Sequence, residues 1–160
     1  MGRHFANRVS STLDKSVGKK YLVDGSPETC WTSQQGLPQW ISLTFTSTTP
    51  ITPTRISFTF QGGFVGKKCA VHYKPYRDLS QAQDNTSLNE KDKDPWTLLT
   101  YIYPEDVNRR QTFDLKPSLE ASASALASVK TNQMKLTFEE STDFFGRITV
   151  YDLGVEGFVG

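Results

Sequence analysis

Asp24 and Thr29 are the residues whose types and spacing point most directly to chemistry. They close the run Leu22-Val23-Asp24-Gly25-Ser26-Pro27-Glu28-Thr29-Cys30-Trp31, in which a short apolar stretch ends at an aspartate and a Gly/Ser/Pro turn follows. A carboxylate and a hydroxyl at the two ends of a tight loop, with backbone carbonyls between them, supply the hard oxygens that a structural cation takes. The same residues also suit a cation-free loop, in which Asp24 caps the Gly25-Ser26 turn as an Asx motif and Thr29 bonds backbone. Leu22 and Trp31 are the anchors expected to hold both ends against a core. Neither alternative makes the loop an active site.

Other residues could carry catalysis only if a nucleophile had a base in reach. The two histidines are His4, in a polar N-terminal stretch, and His72, between Val71 and Tyr73 in an expected strand. Cys69 and His72 are three residues apart, a spacing that turns them to opposite faces of a strand. No phosphate loop or zinc spacing appears, and catalysis is not expected. Cys30 and Cys69 sit in different segments; with no signal peptide at the N-terminus, two free thiols in the nucleus or cytosol are expected.

Binding is the other chemistry on offer. Phe144-Phe145 follow Asp143 on a turn, where paired rings either plug the end of a sandwich or anchor a partner. Together with Phe64 on a Gly-rich turn they would form one apolar patch, the expected protein-binding surface. Trp96 ends a polar excursion and is the tryptophan expected to be exposed and to bind the partner together with Phe64, Phe144 and Phe145, whereas Trp31 and Trp40 open strands and are expected in the core.

Strands are what the chain supplies to position these residues. Arg8–Leu13 reads as an edge strand or an irregular arm. Gln39–Phe45 and Arg55–Phe60 alternate apolar and polar residues, the latter with Ile56, Phe58 and Phe60 on one face. Pro50 and Pro53 are expected to break the chain before it. Cys69–Tyr73, Trp96–Tyr103, Gln111–Leu115, Val129–Phe138 and Ile148–Val155 follow, with Met134, Leu136 and Phe138 at alternate positions. Residues 74–95 and 118–128 are polar or Ala/Ser-rich and read as mobile inserts in a single domain spanning 1–160. The sequon Asn85-Thr86-Ser87 falls in the first of them and is expected to be silent.

A formal net charge of +1 leaves no global field for nucleic acid or an anionic membrane, and neither is an expected partner. No apolar run approaches the roughly 20 residues of a membrane-spanning helix. The fold class expected is all-β: a sandwich or jelly roll of about eight antiparallel strands.

Val9-Ser10-Ser11, the 22–31 loop, Gln39-Trp40-Ile41-Ser42-Leu43 and Tyr151-Asp152-Leu153-Gly154-Val155-Glu156-Gly157 together resemble the discoidin, or coagulation-factor type C, branch of the galactose-binding-like superfamily. Further runs, Gly18-Lys19-Lys20, Phe60-Gln61-Gly62-Gly63-Phe64, Tyr103-Pro104-Glu105-Asp106, Gln111-Thr112-Phe113 and Thr142-Asp143-Phe144-Phe145-Gly146-Arg147, resemble a family of small nuclear-receptor-associated repressors. The resemblance implies an eight-stranded jelly roll, no catalysis, and a protein partner such as a nuclear receptor. It also implies one calcium ion held by Asp24, Thr29 and Asp152 with carbonyls near Leu22 and Ser26. Carbohydrate is the alternative ligand, stacking on Trp31, Trp40 or Trp96. A subunit of intraflagellar-transport type is a further alternative, since a ciliary protein shares this fold and loop.

Overall fold

In a computed structural model the described residues, 5–46, 49–76, 95–115 and 129–159, form nine strands. They are β1 (Phe5–Val9), β2 (Cys30–Thr32), β3 (Gln39–Phe45), β4 (Ile51–Phe60), β5 (Gly66–Pro75), β6 (Thr97–Ile102), β7 (Arg110–Asp114), β8 (Thr131–Ser141) and β9 (Thr149–Val159). All pair antiparallel. One layer runs β1-β3-β8-β5-β6 and the other β2-β9-β4-β7. A single pair, Ile51 with Thr131, joins them at one corner. The result is the expected jelly-roll sandwich, with nine strands because the three-residue β2 adds to the eight anticipated.

The alternation read in the sequence sets the faces. Ile41 and Leu43 on β3, Ile56, Phe58 and Phe60 on β4, and Met134, Leu136 and Phe138 on β8 are fully buried. The Phe60 and Phe138 rings meet edge-on at 5.8 Å, and Phe58 lies 4.7 Å from Phe60. Aromatic contacts of this geometry add to the burial of the rings themselves, and here they tie β4 of one layer to β8 of the other.

Two expectations about strand limits are corrected. Pro53 does not end the chain's pairing but sits inside β4, opposite Gly157, beside a register shift. A proline is tolerated where the ladder is already irregular. Gly157 allows the close approach, since a Cβ there would lie 2.3 Å from the Thr52 carbonyl oxygen. Lys74 and Pro75, placed in the first insert by sequence, belong to β5. The rest of that insert, apart from Tyr76 and Pro95, and all of 118–128 lie outside the described residues, as do the sequon and His4.

Candidate protein-binding surface

The turn between β8 and β9 is stitched before any partner is considered. Ser141 Oγ donates to the Arg147 carbonyl at 2.8 Å and accepts from the Asp143 N–H at 3.0 Å. Asp143 Oδ2 accepts from both the backbone N–H and Nε of Arg147, each at 3.0 Å. The Arg147 hydrogen bond holds the Asp143 carboxyl below the ordinary aspartate range. Gly146 has φ +85, and a Cβ there would lie 3.1 Å from the Gly36 backbone and from Leu37 Cγ, so the turn can press on the loop between β2 and β3 only with glycine at that position. The Gly36 N–H donates to the Phe145 carbonyl at 2.8 Å.

This frame holds Phe144 and Phe145 outward. Phe144 is 94% exposed and Phe145 52% exposed, so they do not plug the sandwich, and that alternative is overturned. Their rings pack edge-on at 5.2 Å. The Arg147 guanidinium lies 5.1 Å from the Phe64 ring and 5.8 Å from Phe145, joining Phe64, half-buried on its own turn, to the pair. Leu37, 42% exposed, completes the apolar patch. Sequence reasoning missed Leu37 and Arg147. Their position among polar and glycine-rich loop residues gives no periodic signal, although Leu37 before a proline in such a loop is the one apolar residue without a strand to serve.

Trp96 is not part of this patch. It precedes Thr97, which pairs with Tyr73 late in β5, whereas the Phe144 turn follows Ser141, which pairs with Gly66 at the start of β5. Seven residues of strand, roughly 23 Å, separate the two pairs. Trp96 instead lies 4.9 Å from Lys74 Nζ and 5.8 Å from Lys135 Nζ, and Lys135 Nζ also lies 4.8 Å from the Trp40 ring. Trp40 is therefore not core but half-buried on the outer face. The alternation that buries Ile41 and Leu43 points Trp40 the other way. Trp31 is fully buried as expected, and its Nε1 donates to the Ser11 carbonyl at 2.9 Å.

The opening loop takes the Asx form. Asp24 Oδ1 accepts from the Ser26 N–H at 3.0 Å, and Oδ2 accepts from Thr29 Oγ1. Leu22 is fully buried beneath it. Cys30 pairs with Tyr151 across β2 and β9, which brings Thr29 alongside the strand carrying Asp152. The side chain of Asp152, however, is turned to Arg110 Nη1 at 3.0 Å. Among the described residues no three of His, Cys, Asp and Glu gather to hold a metal. Calcium wants six to eight oxygens, and the third side chain expected in its shell is engaged by a guanidinium. The ligand set implied by the resemblance does not fit as a set.

Among the described residues, Cys69 and His72 are not brought together for covalent catalysis. Cys69 is buried, and its thiol is pushed up by desolvation and by the Glu139 charge. His72 faces outward opposite Lys135, and burial followed by the Lys135 charge lowers its pKa. Both cysteines are free thiols. No helix among the described residues is long and apolar enough to cross a membrane.

Comparison with known proteins places this arrangement. The chain is 37% identical over 155 residues to the nuclear receptor 2C2-associated protein of Mus musculus, covering 94% of this chain and 89% of that one. It is 35% identical over 154 residues to the protein of the same name from Homo sapiens, covering 94% and 90%. Among solved structures it is similar to a Clostridium perfringens carbohydrate-binding module in complex with GalNAc-β-1,3-galactose, at 15% identity and TM-score 0.65 over 97% of this chain and 99% of that one. It is also similar to the C-terminal domain of a Bacteroides fragilis chitobiase, at 14% identity and TM-score 0.68 over 98% and 95%. No family model matches the chain. The structural likenesses concern the fold.

Proposed function

The chain belongs to the nuclear receptor 2C2-associated protein family, and from that membership we propose that it is a non-catalytic protein-binding module acting as an adaptor or repressor partner of a nuclear receptor in the nucleus or cytoplasm. The observation that carries the proposal is Phe144, a phenylalanine 94% exposed on a turn fixed by the Asp143–Arg147 pair and backed by Phe145, Phe64 and Leu37. An aromatic anchor held rigid before binding loses little conformational freedom when it docks, which is the property of an interface hot spot.

Calorimetric titration of the purified protein with purified nuclear receptor 2C2 tests this. Saturable binding that weakens at least about tenfold in Phe144→Ser/Phe145→Ser is the expected result. Absence of binding, or equal binding by the variant, overturns it.

Carbohydrate finds less support. Trp31 is buried, and Trp40 and Trp96 carry lysine ammonium groups over their rings, where a sugar would need an open aromatic face. Nothing in the relatives' names favours a ciliary transport role over a receptor-associated one.

A further inference from the structure

Gln39 breaks the pattern of its own strand. On β3 the residues Ile41, Leu43 and Phe45 face the core at alternate positions, and Gln39 stands first in that row, 5% exposed. A buried amide is costly unless its donors and acceptors find partners, and here they do.

All four hydrogen-bonding positions of the amide are filled. Nε2 donates to the Gln34 carbonyl at 3.1 Å and to the Gly36 carbonyl at 2.7 Å. Oε1 accepts from Ser10 Oγ at 2.5 Å and from Ser11 Oγ at 2.7 Å. Both serine hydroxyls also accept from backbone N–H groups, Ser10 from Trp40 at 2.9 Å and Ser11 from Gln34 at 3.0 Å. Their protons are therefore left for Oε1, which turns the Nε2 donors toward the loop between β2 and β3.

That loop forms one side of the aromatic patch. The Gly36 N–H donates to the Phe145 carbonyl at 2.8 Å, while the Gly36 carbonyl accepts from Gln39. Gly36 is thus bonded to the Phe144–Phe145 turn on one side and to a buried amide on the other. The carbonyl that Gln39 holds belongs to the peptide leading into Leu37, which is 42% exposed in the patch. The two loops touch at this point, since a Cβ on Gly146 would lie 3.1 Å from both Gly36 and Leu37. The Asp143–Arg147 pair fixes the turn internally; Gln39 fixes what the turn leans on.

We propose that Gln39 is a positioning residue for partner binding, holding Leu37 and the Phe144–Phe145 turn in one docking geometry through Gly36. The inference rests on the protein-binding function proposed above. Gln39 is buried and touches no partner itself. Its effect runs through order, because groups already held in their bound arrangement lose less freedom on docking.

The test combines amide hydrogen exchange with calorimetric titration against purified nuclear receptor 2C2, both on the full chain. Gln39→Met keeps the length of the side chain and removes its donors. Gln39→Glu keeps acceptors for Ser10 and Ser11 while removing the donors, and serves if the first variant does not fold. In either, exchange at the Gly36 amide is expected to quicken at least about tenfold beyond any change at Val71, a fully buried residue of β5. Receptor affinity is expected to fall by about tenfold. Asp24→Ala, a lost turn cap at the other end of β2, is the control: Gly36 and Val71 should move together, and affinity should match the wild type.

Gly36 exchange that only follows Val71 would make Gln39 a structural residue and overturn the proposal. Faster Gly36 exchange with unchanged receptor affinity overturns it too, since the turn would then dock without being held. So does an equal loss of affinity in Asp24→Ala, because stability alone would account for it. If Phe144→Ser loses the receptor and the Gln39 variants do not, the positioning role falls and the receptor function stands. If the wild type binds no receptor, the receptor function falls, and Gly36 exchange still decides whether Gln39 holds the turn.

Discussion

Arg110 on β7 reaches past β4 to hold Asp152 on β9, with Nη1 2.8 Å from the Asp152 carbonyl oxygen and 3.0 Å from Oδ2. Asp152 has φ 48 and sits where β9 carries one residue more than β4, between the pairs Ser57–Gly154 and Thr59–Tyr151. A bulge of this kind frees a carbonyl from the ladder and bends the strand. Arg110 takes up that carbonyl and the carboxylate together, so the expected cation ligand works as half of an ion pair that seals a bulge.

Arg110→Met is therefore expected to lower stability by about 1 kcal/mol, the net value of a charge-assisted hydrogen bond discounted for the partly exposed arginine. Denaturant unfolding of Arg110→Met, Asp152→Asn and the double variant checks it. A coupling energy indistinguishable from zero in that cycle would show that the pair does not hold the bulge.

Asp24→Ala is expected to cost about 1 kcal/mol, the value of a lost side-chain cap. The loss should be the same in calcium and in EDTA, because the Asp24 oxygens already serve Ser26 and Thr29. Melting curves of wild type and variant in both buffers decide it. A wild-type melting temperature that drops on chelation, with no further drop in the variant, would return the loop to a cation site.

The acid limb of stability should carry a signature of Asp143. Its folded pKa is depressed, chiefly by the hydrogen bond from Arg147. The stabilisation is thus complete above the unfolded value near 3.9 and disappears as pH falls through the lower folded value. Asp143→Asn should melt below wild type at pH 7 and converge on it toward roughly pH 2. A constant difference across that range would remove the charge from the account.

How much of this was legible follows from what periodicity can encode. β3, β4, β8 and β9 were readable because a half-buried strand must alternate, and Ile41, Phe58, Leu136 and Val150 obey that rule. β2 was not, since three residues are too few to show a period and Trp31 is placed by its pairing with Val150. Trp40 is expected in the core because it opens a strand, although that strand's own alternation points it outward. The site was half legible. Phe64, Phe144 and Phe145 were named as one patch, but nothing in a turn's sequence says whether its rings face in or out, and Trp96 was grouped with them although β5 separates them.

The core makes a sharper demand at Gly66. It is buried at the start of β5, where a Cβ would lie 2.4 Å from Phe138 Cδ1. Gly66→Ala should cost about 1–3 kcal/mol through overpacking, and Phe138→Ala about 3–5 kcal/mol through the cavity left beside Phe58 and Phe60. Urea titrations measure both. A near-neutral Gly66→Ala would mean that Phe138 has room to turn.

Phe144→Ser is the variant in which stability and function should part. A ring 94% exposed contributes little burial, so its removal should leave the melting temperature within about 1 °C of wild type. The Asp143–Arg147 frame does not involve the ring and remains, so Phe145, Phe64 and Leu37 keep their places. Binding to nuclear receptor 2C2, on the proposed function, should nevertheless fall by about tenfold or more, since a docked phenylalanine buries the whole of a surface now in water. The control is Phe158→Ser on β9, a second exposed phenylalanine at 69%, outside the patch. It should change neither quantity. Equal losses of receptor binding in the two variants would mean that exposed aromatic area in general, rather than this turn, drives the association.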